Sequence, residues 1–400
     1  MRITFLTHEP FYPPSGGGSA EAVYLVRELV ARGHEVRLFG PPVAEPESVE
    51  RKFGISLHPF LGWEMGRYTS FRNFKYLLYP FFLERLVMAA AARIKFDLVL
   101  SQHAISAVAA GRLKRRLGVP VVMNFLDFLT GFMESWPFWL MPPPVLALLK
   151  QYELSIPRRF KADAVLTVSD TLADLFAQAG FPRKRTVPIY YGYDSELFPL
   201  NDEAMATRSD TPPTIVMHGS FDHHHLGGIA FDAMARVHAT RPDAIFKFVG
   251  RQTPALVALM RRVQQALPAL KVECTGFVPY RDVASHLSRA AVGMVPYLES
   301  SGTHCAFVAK TVEYLAMGLP VVSTPLNSGV RYFHDEPLVR FSGFDGASLG
   351  ERILSWLSEP TETRARLGRV AARRVREKLD WHVICGKAAD SIEATYDQSK

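Results

Sequence analysis

Residues 297–324, YLESSGTHCAFVAKTVEYLAMGLPVVST, leave a chain few ways to fold. Val308, Val312, Leu315 and Ala316 recur at helical spacing, and Met317-Gly318 closes the run. That pattern predicts about two or three turns of helix with a glycine stop. Residues 299–303 before it are small and polar, a loop composition, and Pro320-Val321-Val322 after it open a short apolar strand. A loop that feeds a helix N-terminus is an anion site in waiting, because the first N–H groups have no partner within the helix. Lys310 stands in the first turn and adds a full positive charge, and Glu313 follows on nearly the same face. A phosphate anchor and an acceptor for sugar or ribose hydroxyls are thereby set side by side.

The rest of the chain repeats this alternation. Residues 2–7 read as a strand, followed by a proline- and glycine-rich loop containing Gly16, Gly17 and Gly18. Ser19 is the expected N-cap of the next helix, whose stripe is Val23, Val26, Leu29 and Val30; Gly33 ends it, and residues 35–39 form a second strand. This is the opening of a doubly wound sheet. The glycine spacing does not fit G-x-G-x-x-G, so a dinucleotide fingerprint is not indicated. Residues 97–101 and 118–124 are further strands. His103 and Asp127 follow their C-terminal ends, the edge where ligands gather in open parallel sheets. Asp127 lies amid Phe125, Leu126 and Phe128; desolvation there raises a carboxyl pKa and makes a better general base, with His103, then Glu134 and His8, as alternatives. Residues 162–169 form another strand, with Ser169 capping the helix after it.

Four hundred residues exceed one ordinary core, so two domains are expected. The polar, aperiodic run 199–213 is the boundary, between an N-terminal domain 1–198 and a C-terminal domain 214–380, with a last helix in 381–400. Cys274, Cys305 and Cys385 are scattered and odd in number, which argues against a disulfide framework and fits a reducing cytoplasm. The start is too short and polar for a signal peptide, and no uncharged apolar run is long enough for a membrane span. The net charge of +7 suits an anionic partner. From Arg67 to Lys95, cations interleave with aromatics against a single acid, Glu84, and a second aromatic block runs from 132 to 150. Basic side chains beside aromatic bulk suit the headgroup boundary of an anionic bilayer. Residues 221–225, FDHHH, suggest metal, but adjacent side chains point to different faces and zinc ligands are usually spaced; no metal is expected.

The run K-T-V-E-Y-L-A-M-G-L-P-V-V-S resembles the donor-site signature of GT-B glycosyltransferases, above all the family-4 group and its polysaccharide-assembly relatives. GGG-x-A with GHEV at 16–36, and P-x-x-x-G-x-D-x-x-x-F at 188–198, are similar to further elements of that family. The resemblance implies two Rossmann-like doubly wound domains facing a cleft, with the final helix crossing back to the first domain. It implies that Lys310 meets the nucleotide diphosphate and Glu313 the ribose hydroxyls. Gly17, Gly18, Gly219 and Ser220 would let backbone approach the donor or acceptor, and Phe277 and Tyr297 would border the base. The family's basic pair in the loop after the first strand of the second domain is not evident, and Arg251 is the substitute. Where many members carry a sugar-contacting acid, eight residues before the glutamate, this chain has Cys305; Thr303 and His304 are the polar neighbours that could make that contact. Asp127 sits in a strand-end setting like that of the catalytic aspartate of xanthan-type glucuronosyltransferases.

The expected activity is transfer of a sugar from a nucleotide diphosphate sugar, UDP-linked, to a hydroxyl of a lipid-linked or polysaccharide-precursor acceptor. It would proceed without metal or other cofactor, at the inner face of the plasma membrane, with no nucleic-acid partner. A nucleotide-sugar 2-epimerase on the same fold, or a non-catalytic basic lipid- or nucleic-acid-binding protein, are the rival readings.

Overall fold

The computed structural model describes residues 1–14, 17–60, 72–201, 205 and 212–400, except for the side chains of 72–77. The chain forms two compact units. One comprises Met1–Thr130, Phe138–Tyr190 and Trp381–Lys400; the other comprises Gly131–Pro137 and Tyr191–Asp380.

The first unit is built on a seven-stranded sheet, β3-β2-β1-β4-β5-β6-β7, of β1 (Arg2–Leu6), β2 (Glu35–Gly40), β3 (Ser56–Pro59), β4 (Leu98–Gln102), β5 (Val121–Phe125), β6 (Ala164–Thr167) and β7 (Thr186–Pro188). Every pairing is parallel. β4 and β5 are buried along their whole length, as strands must be when helices cover both faces. The chain winds outward from β1 to β3 and then returns to β4 on the other side of β1. The ends of β1 and β4 therefore flank the topological switch point, where ligands of such sheets bind. The helix Trp381–Asp397 belongs to this unit, with Trp381 stacked on Tyr24 and Arg32 paired to Asp390 and Glu393.

The second unit repeats the scheme with six strands in the order β10-β9-β8-β11-β12-β13: β8 (Thr214–His218), β9 (Ile245–Val249), β10 (Lys271–Cys274), β11 (Val292–Val295), β12 (Val321–Ser323) and β13 (Val339–Phe341). Its switch point lies between β8 and β11. The helix Ala309–Ala316 leads into β12 and ends at Gly318, whose φ is 62°, as the glycine stop predicted. Gly293 in β11 lacks a Cβ for a steric reason: one would stand 2.5 Å from the Tyr314 ring, which packs flat on the strand there.

Several expectations need correction. The first-unit helix begins at Gly17, not after a Ser19 cap; Ser19 is a buried helical residue. Residues 299–303 are no simple loop. Ser301–Cys305 is a short helix, because Ser300 and Thr303 form a reciprocal capping box. Residues 191–198 group with the second unit, not the first, since Tyr193 bridges to Asp380 and Phe198 packs on Tyr280. Most of the 199–213 boundary, and residues 61–71 of the basic aromatic stretch, lie outside the described residues. The described part of that stretch turns inward: Tyr79, Leu83 and Val87 are core, and Glu84 is buried beneath Arg112 and Arg116. No helix among the described residues is long and apolar enough to cross a membrane.

Candidate functional site

In the second unit the residues singled out by sequence converge on the end of β8. Gly219 turns the chain there with φ 94°, and its N–H is held by the Val249 carbonyl at 2.9 Å. A Cβ on Gly219 would lie 3.4 Å from the Lys310 ammonium, and one on Gly250 would lie 2.3 Å from the Gly219 carbonyl. Two glycines thus let backbone and lysine crowd together. Lys310 is only 8% exposed, and its ammonium donates to the Tyr297 hydroxyl at 2.9 Å. No carboxylate pairs with it among the described residues. A buried cation whose protein partner is a neutral hydroxyl carries an unmet electrostatic demand for an anion.

Glu313 is also buried, and both its oxygens are engaged. His218 Nε2 donates to Oε2, and the Tyr280 hydroxyl donates to Oε1 at 2.6 Å. Tyr314, next in the chain, accepts from the His218 N–H and donates to the Val216 carbonyl, so the helix is pinned to β8 by its own aromatic. Neither His218 nor Tyr280 stood out in the sequence. A strand-final histidine and a tyrosine in a G-F-V-P-Y turn carry no periodic signal, and only the fold brings them to Glu313.

The remaining second-unit candidates are spread around this centre. Ser220 is exposed and donates to Asp222 at 2.8 Å. Arg251 is exposed after β9, its guanidinium 4.7 Å from the ring centre of Phe277, itself 65% exposed. Thr303 is fully buried and its hydroxyl serves the capping box and the Leu298 carbonyl, so it shapes the turn. His304 Nδ1 accepts from the Asn327 N–H and its ring meets Phe344 edge-on. Cys305 is buried and forms no disulfide among the described residues. Glu134 accepts from the N–H and hydroxyl of Ser301, capping that short helix.

In the first unit a second cluster forms at the β1/β4 switch point. His103 opens the helix His103–Leu117 with φ 65°, an unusual conformation for a residue with a side chain. Its Nε2 lies 3.8 Å from Glu9, and its ring meets His8 edge-on. Gly18 closes this corner: a Cβ there would stand 2.6 Å from His103 Nε2 and 2.7 Å from Glu9. Gly18 is helical, so close approach rather than a left-handed turn explains the glycine, and Gly17 beside it is exposed. Burial opposes charge on His103, but Glu9 first, then Asp127 and Glu21, outweigh it and hold the imidazole pKa above its ordinary value. Asp127, beyond β5, is pushed up to about 6, by burial first; His103 pulls it back and Glu9 adds to the rise.

Beneath this cluster lies a carboxyl that the sequence places only in the first turn of a helix. Glu21 is buried and accepts from Gln102 at 2.7 Å and Asn124 at 2.9 Å, two amides that are register partners on β4 and β5. Burial raises it to about 7 despite those donors. Gln102 also donates to the Gly18 carbonyl, so one side chain ties the glycine turn to the sheet. Glu153, likewise raised to about 7 by burial, accepts from the backbone of Leu129 and Thr130 and fixes the turn that follows Asp127.

Two doubly wound parallel sheets, each with polar residues at its switch point, and a lysine–glutamate helix in the second, define the GT-B class of α/β proteins. The Glycosyltransferase Family 4 model matches residues 15–197, and the Glycosyl transferases group 1 model matches residues 212–359. The chain belongs to these family-4-like, group 1 glycosyltransferases. Sucrose-phosphate synthase from Thermosynechococcus elongatus has the same fold at TM-score 0.79 and 16% identity, over 99% of each chain. Anabaena HepE, solved with UDP and glucose, follows at TM-score 0.74 and 16% identity, over 98% of this chain and 100% of its own. Bacillus subtilis TuaH, assigned as a teichuronic acid biosynthesis glycosyltransferase, is 28% identical over 190 residues. That match spans 45% of this chain and less than half, 44%, of TuaH.

Proposed function

We propose that the chain transfers a hexose from a UDP-sugar to a hydroxyl of a lipid-linked or polysaccharide-precursor acceptor at a membrane surface. The observation that carries this reading is Lys310, a buried ammonium with no carboxylate partner among the described residues, set against the Gly219 turn. It answers to a diphosphate. HepE, solved with UDP, and TuaH, assigned to teichuronic acid biosynthesis, support the donor and the acceptor class. In the reaction the acceptor oxygen bonds to the anomeric carbon as the bond from that carbon to the phosphate oxygen breaks. The electron pair leaves on the diphosphate, where Lys310 and the loop N–H groups meet the growing charge, and no metal is required. Glu313 holds the ribose once Tyr280 releases it. If the displacement inverts the anomeric carbon, Asp127 takes the proton of the acceptor hydroxyl.

The test is turnover of UDP-sugars with a polyprenyl-linked acceptor. Free UDP that appears only when acceptor is present, with a glycosylated lipid as product, is the expected result. Conversion of the donor alone to a new nucleotide sugar or a free sugar would favour the epimerase reading instead.

A membrane face is carried by the second aromatic block. Phe138, 71% exposed, and Trp139, 69%, lie in the turn before the helix Pro143–Arg159, which carries Leu148, 66% exposed, with Lys150, Arg158 and Arg159. Exposed apolar bulk beside cations suits the headgroup boundary of an anionic bilayer at the cytoplasmic side. In the variant Trp139→Ser/Leu148→Ser, co-sedimentation with vesicles of about 30% anionic lipid should fall at least about tenfold, at about 0.8 kcal/mol per CH₂-sized group lost. Vesicle binding that survives these changes undiminished removes the membrane element.

A further inference from the structure

The histidine run 223–225 has no part in the scheme above, yet it lies beside Lys310. Asp222 caps a single turn, which breaks at Gly227 with φ 40° and ψ −162°. The break has a cause: a Cβ on Gly227 would meet Leu298 at 2.4 Å. The Leu298 N–H donates back to the His224 carbonyl at 2.9 Å, which ties the turn to the loop after β11. The His225 ring centre lies 3.9 Å from that of His224, at an interplanar angle of 50°, and 4.5 Å from that of Tyr297, at 49°; Tyr297 is the residue that holds the Lys310 ammonium. The expectation that adjacent histidines face apart is therefore wrong here. Ligand atoms of Asp222, His224 and His225 all lie within 4.8 Å of one another, because the turn is isolated from the straight helix.

The cluster is nonetheless poorly arranged for a metal. His225 Nδ1 accepts the Asp222 N–H at 3.1 Å, which fixes the neutral ring as the Nε2–H tautomer. A metal on Nε2 would require a proton on Nδ1 and break that cap, and the Lys310 charge adjoins. What these rings can offer is donation of an N–H. The charged and titratable groups facing them are Asp222 and His223 on their own segment, and Lys310 and Tyr297 from elsewhere.

We propose that His224 and His225 complete, with Lys310, the seat for the donor's diphosphate: His225 donates its Nε2–H as the neutral ring its Asp222 cap requires, and His224 takes up a proton as the diphosphate binds. This rests on the donor reading above. In the empty site burial first, then Lys310 and the neighbouring imidazole, hold His225 well below its ordinary pKa. His224 is lowered to about 4, by burial first, with Asp222 opposing and Lys310 and His223 adding. A diphosphate reverses the sign of the local field and restores the charged imidazolium of His224, which then donates from a cation. Binding that raises a pKa takes up protons, so affinity rises as pH falls.

The experiment is calorimetric titration of UDP into the parent and into His224→Asn and His224→Asn/His225→Asn, at about pH 6 and pH 8, in buffers of different ionisation enthalpy. The terminal phosphate of UDP also titrates, equally in all three proteins, so the difference between them isolates the imidazoles. The parent should take up close to one proton more than the double variant at about pH 6. Its affinity should gain about tenfold between pH 8 and pH 6, against little gain in the variants. The single variant leaves the His225 cap untouched, and thermal unfolding of each protein checks its fold. UDP binding with the same proton uptake and pH dependence in all three proteins overturns this inference and leaves the donor site standing. Failure of the folded parent to bind UDP at either pH overturns the donor reading itself.

Discussion

Lys310→Met should weaken UDP binding by about a hundredfold or more while leaving the protein as stable as the parent, or more stable. Removing one partner of a buried, hydrogen-bonded charge pair costs about 2–5 kcal/mol of binding, and a hundredfold in Kd is about 2.7 kcal/mol. The folding argument has the opposite sign. In the free protein Lys310 is 8% exposed and its ammonium has only the Tyr297 hydroxyl as a hydrogen-bond acceptor among the described residues. Holding an ammonium there costs desolvation that no carboxylate offsets, and a methionine of similar length fills the same volume without that cost. A purely structural lysine would show the reverse pattern, with a lower Tm and unchanged UDP affinity. Isothermal titration and thermal unfolding on the same samples separate the two. Undiminished UDP affinity in Lys310→Met would end the donor assignment.

That divergence between stability and binding reflects what could and could not be read in the sequence. The loop–helix–strand unit at 297–324 was legible because its apolar residues keep helical spacing and its glycine stop is local chemistry; the structure returns a helix Ala309–Ala316 ending at Gly318. The strand-end positions of His103 and Asp127 were legible for the same reason, and burial does raise the Asp127 carboxyl. What escaped were partners joined only by the winding of the sheet. His218 and Tyr280 reach Glu313 across β8 and the turn after β10. Glu9 reaches His103 because Gly18 lets them close together. Residues 299–303 were misread because their polarity looks like a loop while a capping box makes them a helix start. The inward turn of residues 78–91 was missed because Glu84, the single acid of a basic stretch, is buried beneath two arginines from another helix.

Asp127→Asn should lower kcat by about a hundredfold to ten-thousandfold, the usual contribution of a positioned general base, with much smaller change in KM for the donor. The parent's pH profile should carry its signature. A base must be ionised, and this carboxyl titrates at about 6 because burial raises it. The rate should therefore be flat above that value and fall about tenfold per pH unit below it, a limb absent from the residual activity of the variant. Stability should move the other way. A carboxyl whose pKa is higher folded than unfolded binds more protons in the folded state, so its contribution is lost as pH rises from about 4 to about 6. Asn carries no such penalty, and the variant should be more stable than the parent above neutral pH, by up to about 3 kcal/mol. His103 supplies the discriminating control. Its positive charge pulls the Asp127 carboxyl down, so His103→Ala should shift the acid limb to higher pH while leaving a limb in place. If the limb instead vanishes in His103→Ala and persists in Asp127→Asn, the imidazole is the base and the aspartate only its neighbour.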